Sequence, residues 1–116
     1  MADQVEIYFP RNKYAEGTNF TATARFRTQS TGAASTPTTV HYRVDDLTSK
    51  SEITDWTSVS AAAEVSISIT PTMNAIQGNN NRVERKQLMV KADSGLSTQV
   101  IGAKVWQVGN IFGIGS

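Results

Sequence analysis

Cysteine is missing from this chain of 116 residues, and histidine occurs only once. Without cysteine the chain forms no disulfide and offers no thiolate to a metal ion, so packing alone must hold its core together. A chain of this kind folds in a reducing cytosol, although release as part of an assembled particle would let it act elsewhere.

The sequence also lacks a long apolar run and a strong charge of either sign. No segment reaches the roughly 20 apolar residues that span a bilayer. The first residues contain neither the basic nor the apolar region of a Sec signal peptide, so we expect synthesis in the cytoplasm. A formal net charge of +1 is too mild to indicate nucleic acid binding. We therefore expect neither a membrane nor a nucleic acid as a partner.

What the chain does contain is a repeated alternation of apolar and polar residues with a period of two. The clearest run places Phe20, Ala22, Ala24 and Phe26 between polar neighbours, and residues 40–45 and 65–70 repeat the pattern. Successive side chains of a strand point to opposite faces, so each run forms a strand with one apolar face. Such strands bury their apolar faces against one another, which predicts an all-β fold, an antiparallel β-sandwich.

The turn residues divide the chain into about seven predicted strands within one domain, residues 1–116. Pro10 and Pro71 each end a strand because proline donates no backbone hydrogen bond. The last strand changes its apolar phase, which predicts a bulge near Gly102. A short N-terminal segment (residues 1–4) and an apolar, glycine-rich tail (residues 109–116) flank the sandwich. The predicted strands cover residues 5–9, 19–28, 38–45, 52–59, 63–70, 84–92 and 98–108.

Catalytic and metal-binding residues are scarce in the sequence. His41 lies in the middle of a strand with no nucleophile-elbow motif anywhere, so we interpret it as a solvated strand residue. The acidic residues Asp45, Asp46, Glu52 and Asp55 are oxygen donors of the type that binds calcium, but their spacing matches no known loop. We expect no enzymatic activity, no metal and no cofactor.

The two tryptophans and the tail leave alternatives open. Trp56 and Trp106 are expected in the core, because large aromatic residues dominate small β cores. An exposed ring would instead suit a sugar or host-surface ligand. The tail carries Ile111, Phe112 and Ile114 between glycines, and it either folds back onto the sandwich or docks on a neighbouring molecule.

Several segments together resemble the middle and closing strands of immunoglobulin-like and fibronectin type III-like modules in structural proteins of tailed bacteriophages. The resemblance extends over roughly residues 38–108 and consists of patterns. The chain departs from antibody-type domains because it has no cysteine pair and no tyrosine at the corner before the penultimate strand. The segments are residues 40–46 (VHYRVDD), 55–59 (DWTSV), 65–69 (VSISI) with the Pro and Asn-Ala-Ile that follow, and 88–98 (LMVKADSGLST).

This resemblance implies an immunoglobulin-like sandwich and a non-enzymatic protein of the virion. The leading hypothesis is a capsid decoration or cement protein that binds coat subunits, with self-association on the symmetric particle as a further option. The alternatives are a tail or head–tail connector accessory protein, and a host-surface or carbohydrate-binding module. The residues predicted to make the protein contacts are Arg11, Lys13 and Tyr14 in the first connection and Ile111, Phe112 and Ile114 in the tail.

Overall fold

The structure, a computed structural model, describes residues 4–28, 30–76, 82–93 and 99–109. These residues form eight strands and no helix. The glycine and asparagines at residues 78–81 predict a loop tip, and residues 93–95 (DSG) predict a hairpin turn. Residues 78–81, 94 and 95 lie outside the described residues, as do Ile111, Phe112 and Ile114. The strands are β1 (Gln4–Tyr8), β2 (Lys13–Ala15), β3 (Phe20–Arg27), β4 (Thr39–Asp46), β5 (Ser51–Val59), β6 (Glu64–Ile69), β7 (Val83–Asp93) and β8 (Gln99–Gly109).

The strands form two sheets that pack face to face, which confirms the predicted all-β sandwich. One sheet has three strands in the order β1-β3-β6, and the other has five in the order β2-β8-β7-β4-β5. All pairings are antiparallel except that of β2 with β8, which is parallel. Strands β7 and β8 lie next to each other in the sheet and are consecutive in the sequence, whereas β4 and β7 are neighbours in the sheet but not in the sequence. A sandwich architecture does not by itself indicate function.

The core lies between the two sheets and is built from the alternating residues that the sequence pattern predicts. Along β3 the burial alternates residue by residue, as it does along β6. Pairs such as Phe20 with Ile69 and Ala22 with Ile67 face each other across these strands. The sequence predicts one helical turn over residues 72–77, with Met73 and Ile76 facing the core. The structure has a turn at residues 71–74 and no helix there, with Met73 buried and Ile76 packed against the core. The five-stranded sheet contributes Val40, Val44, Leu88, Val90, Ala92, Trp106 and Val108.

The ends of the predicted strands lie within one residue of those in the structure, and one strand was not predicted. Gln4 belongs to β1 and Gly109 to β8, so the N-terminal segment and the tail are each shorter than expected. The predicted polar connection after Pro10 contains β2, which is only three residues long. Three residues are too few to show a period, which is why the pattern did not reveal this strand.

The predicted bulge near Gly102 is wrong. β7 and β8 pair without interruption from Val83 opposite Gly109 to Asp93 opposite Gln99. A Cβ atom at Gly102 would lie 2.5 Å from Cγ1 of Val5, so the glycine allows β1 to pack closely over β8. The register shifts instead in the β4–β5 pair, between Tyr42 and Val44 and again between Val44 and Asp45.

Four polar residues are buried among the described residues, at the end of the sandwich where β4 and β6 finish and β7 begins. Asn74 links two segments there: its side-chain amide donates to the Thr18 carbonyl at 2.6 Å, and its oxygen accepts from the Trp106 indole at 2.6 Å. These bonds satisfy a buried amide and a buried indole, as burial requires. The other three buried polar residues are Asp46, Glu84 and Lys86.

Candidate functional site

A cleft at one edge of the five-stranded sheet brings together three of the six residues predicted to make protein contacts. The cleft has a volume of about 480 Å³ and opens beside β2 and the end of β8. Arg11, Lys13 and Tyr14 all line it. The other lining residues are Ala15, Thr18, Val83, Gln107 and Gly109.

The parallel pairing of β2 with β8 fixes the position of the segment that carries Arg11, Lys13 and Tyr14. Pro10 follows β1 and ends its ladder, which lets the chain cross from the three-stranded sheet to the five-stranded one. Lys13 then lies opposite Gln107, and Tyr14 opposite Val108. Backbone bonds extend the pairing at both ends, from Gln107 N to Asn12 O and from Glu16 N to Gly109 O, each at 2.9 Å.

Tyr14 is fixed in the cleft from both sides. Its ring stacks on that of Phe20 with 4.1 Å between the centroids and 5° between the planes. Its hydroxyl accepts a hydrogen bond from the backbone N–H of Arg11 at 2.9 Å. Phe20 in turn meets Phe9 and Trp106 edge-on, at 5.4 Å and 5.5 Å. The tyrosine is therefore a rigid aromatic wall anchored on the core, which lowers the entropy cost of binding against it.

The cleft is positively charged. Arg11 and Lys13 are exposed, and neither forms an ion pair with any residue that the structure describes. Glu16 is half-buried just beyond β2, and its Oε1 has no hydrogen-bond partner in the described part of the chain. Two free cations beside an aromatic wall are suited to a carboxylate-bearing surface.

Sequence reasoning missed the far wall of the cleft. Val83 is 49 % exposed at the start of β7, and Gln107 lies on β8, so both come from strands distant in sequence from Arg11. Val83 could have been found from the sequence. It is apolar but lies out of phase with the inward-facing residues of β7, so it must leave apolar surface exposed. Gln107 gave no such signal, since its role depends on the parallel pairing of β2.

Three of the four acidic residues considered for calcium, Asp45, Glu52 and Asp55, gather around a cation of the protein itself, whereas Asp46 is buried on the other face of β4. The Arg43 guanidinium lies 2.9 Å from Asp45, 3.3 Å from Glu52 and 3.7 Å from Asp55. We call these four residues the surface cluster. The hydrogen bond to Asp45, and then its charge and those of the other two carboxylates, raise the pKa of Arg43, while desolvation lowers it. Within the described residues, no three acidic or histidine side chains are placed to hold a metal ion.

His41 lies on the outer face of the five-stranded sheet, directly opposite Ser58 of β5 and Lys91 of β7. A catalytic triad needs a carboxylate that holds the ring nitrogen remote from the serine. The Nδ1 atom of His41 is buried and has no hydrogen-bond partner within the described ranges. The arrangement therefore lacks the orienting carboxylate of a triad.

The two tryptophans have different environments. Trp106 is buried, as predicted, whereas Trp56 lies half-buried on the outer face, contrary to the expectation for it. Two residues of β5, Asp55 and Trp56, oppose Arg43 at the first register shift. The Lys91 ammonium lies 4.5 Å from the centroid of the Trp56 ring, so a cation already covers part of that ring.

Comparison of the chain with protein-family models, with curated proteins and with solved structures gave no match. The ranges that the structure describes include no helix with the length and apolarity required to cross a bilayer.

Proposed function

We propose that the chain is a non-enzymatic structural protein of a bacteriophage virion that attaches to coat subunits as a capsid decoration protein. The observation that carries the proposal is the cleft at the β2 edge, where Arg11, Lys13 and Tyr14 converge. Attachment to a tail or head–tail connector is the runner-up, since the same cleft would serve either surface. The virion assignment itself is supported by the sequence resemblance to phage modules.

The chemistry of the cleft fits adhesion to an acidic protein surface. Exposed cations attract carboxylates over about one Debye length, roughly 8 Å at physiological ionic strength. The fixed Tyr14 ring adds contact area without losing rotamer freedom on binding. One open cleft of about 480 Å³ is a small contact site, and we expect it to bind only weakly on its own. Many copies attached to one symmetric particle would each be held by this modest contact together with their neighbours.

Co-sedimentation tests this proposal directly. The purified protein is mixed with empty capsids and, separately, with isolated tails of the phage that encodes the chain. We expect saturable binding to capsids at a stoichiometry set by the lattice, weakened by added salt. Binding to tails alone selects the accessory role, and binding to neither particle contradicts the proposal.

A double variant with reversed charges tests whether the cleft is the surface that binds the particle. Replacing both Arg11 and Lys13 by glutamate is expected to abolish co-sedimentation, because it places like charges against the acidic partner. Lys50→Glu is the matched control: Lys50 is exposed in the turn before β5, at the opposite edge of the same sheet. Equal binding by the double variant and the control would show that the cleft is not the attachment site.

A further inference from the structure

Three buried ionisable residues meet inside the sandwich, and we call them the buried triad. The Lys86 ammonium lies 3.0 Å from Oε1 of Glu84 and 3.9 Å from Oδ2 of Asp46, and all three side chains are 0 % exposed. Lys86 also donates a hydrogen bond to the Ala75 carbonyl at 2.8 Å. The lysine amine is thus held between two carboxyl groups in a site that is closed to bulk solvent.

Backbone pairing sets this geometry. Glu84 and Lys86 are two residues apart on β7, so their side chains share the inward face of the strand. Asp46 lies directly opposite Lys86 in the β4–β7 ladder. The backbones of the lysine and the aspartate stay opposite each other as long as this central pair of strands is intact. A fixed approach of this kind supplies the proximity that an intramolecular reaction needs.

The carboxyl group of Asp46 is also oriented and polarised. Its Oδ1 accepts a hydrogen bond from the Thr48 backbone N–H at 3.2 Å, and its Oδ2 accepts one from the Ser49 hydroxyl. The N–H at Oδ1 is placed to stabilise negative charge that develops on that oxygen. Oδ2, the oxygen nearer to Lys86, is left as the departing atom.

Charge gives a further reason for a reaction at this site. One ammonium and two carboxylates, if all are ionised, leave a net charge of −1 in a region without solvent. Burying ions costs several kcal/mol each, and the attraction between partners offsets this cost only in part. Joining the lysine to one carboxylate would remove two of the three charges, whereas an ion pair retains all of them.

We propose that Lys86 and Asp46 condense to form an intramolecular amide between Nζ of the lysine and Cγ of the aspartate, with Glu84 as the proton carrier. The product is a covalent link between β4 and β7 inside the core. Nζ lies 3.9 Å from Oδ2, which is the distance of an ion pair, and a side-chain rotation that brings Nζ towards Cγ precedes attack.

The reaction balances without any oxidant, reductant or co-reactant. Glu84 takes one proton from the Lys86 ammonium and passes it to the Asp46 carboxylate, leaving a neutral amine beside a neutral acid. The nitrogen lone pair attacks Cγ, forming the C–N bond. Glu84 then moves a second proton from nitrogen to the hydroxyl at Oδ2, the C–O bond breaks, and one water molecule leaves. Glu84 ends the reaction as it began.

Mass spectrometry of the purified full chain tests this proposal. We expect an intact mass lower than that of the sequence by one water molecule. Trypsin should no longer cleave after Lys86, so residues 44–50 should be recovered covalently joined to residues 86–91. An intact mass equal to that of the sequence, or water lost at another pair of residues, would overturn the proposal.

Matched variants assign the roles. Glu84→Gln keeps the shape of the side chain but cannot carry the proton, so it should give the full, unlinked mass. Asp46→Asn should give the same linked product as the wild type, with ammonia released in place of water. Gln87→Met, on the opposite face of β7, is the control and should remain fully linked. Linked protein from the Glu84→Gln variant would show that Glu84 has no part in the reaction.

Discussion

Two clusters in this sandwich each gather carboxylates around a single cation, and they differ mainly in their access to water. In the buried triad all three side chains are 0 % exposed. In the surface cluster the side-chain exposure is 29 % for Arg43, 18 % for Asp45, 48 % for Glu52 and 69 % for Asp55. Both clusters involve β4, and they lie on opposite faces of the same sheet.

The difference shows how solvent decides what a cluster of charges can do. On the surface, water and salt screen the third carboxylate, so an excess of negative charge is tolerated at little cost. Inside the sandwich each charge depends on its neighbours, because no solvent replaces a lost partner. Carboxylates gathered around one cation therefore form an adaptable ion pair outside and a fixed arrangement inside, and the inner one is the site of the proposed reaction.

The strongest test of this comparison removes the cation of the buried triad. Lys86→Met is expected to lower the free energy of unfolding by about 3–5 kcal/mol, because Glu84 and Asp46 stay buried with neither the lysine counter-charge nor the proposed amide link. Urea denaturation measures the effect, and Gln87→Met is the control for introducing methionine into β7. The loss should persist at high salt, since ions do not reach the site. Stability equal to that of the wild type would mean that the triad is hydrated in solution.

The matching test on the surface removes Arg43. Arg43→Gln leaves three carboxylates on the outer face, and their repulsion should destabilise the fold at low salt only. We expect the shift in the urea midpoint to be several-fold smaller than that of Lys86→Met and to vanish as sodium chloride is added. A shift that persists at high salt would show that Arg43 stabilises the sheet through packing of its side chain.

Most of the sandwich could be predicted from residues whose alternation has an unambiguous phase. Phe20 to Phe26 on β3 and Val65 to Ile69 on β6 each have one apolar face, and the structure places both in the core. Where both phases carry apolar residues, pattern alone fails. Val100 and Ile101 are both apolar neighbours on β8, and only one of them can face the core. The structure turns Val100 inward and leaves Ile101 exposed, in the phase that places Gly102 under Val5 of the other sheet.

The buried triad could have been found by following the phase of β7 to its start. Leu88, Val90 and Ala92 are the apolar residues of the alternation in β7, and the same phase places Lys86 and Glu84 inward too. Charged residues are seldom buried, so the apolar alternation alone predicts neither Glu84 nor Lys86 as a core residue. Asp46 could not have been added from sequence, because its place opposite Lys86 depends on the register of β4 with β7.

The smallest expected effect on stability comes from an exposed pair, Tyr8 and Glu6, at the edge of the three-stranded sheet. It is a second polar contact in water to set against the buried triad. Tyr8 is 42 % exposed, and its hydroxyl donates a hydrogen bond to Oε2 of Glu6 at 2.5 Å. This bond, and then the negative charge of Glu6, raise the pKa of Tyr8, while nearby Arg25 lowers it by a lesser amount.

Because the folded protein holds the Tyr8 proton more tightly than the unfolded chain, the pair stabilises the fold below the ordinary tyrosine pKa. That contribution is lost as the pH rises through the raised value. Glu6→Gln should return the pKa of Tyr8 towards its ordinary value and flatten the alkaline fall in stability. The ultraviolet titration difference between the wild type and Tyr8→Phe isolates this phenol, and the same difference is then measured in the Glu6→Gln background. An identical titration in both backgrounds would mean that water replaces Glu6 as the hydrogen-bond partner of Tyr8. Solvent exposure would then cancel the contribution of this pair to stability, as screening by water and salt weakens the surface cluster.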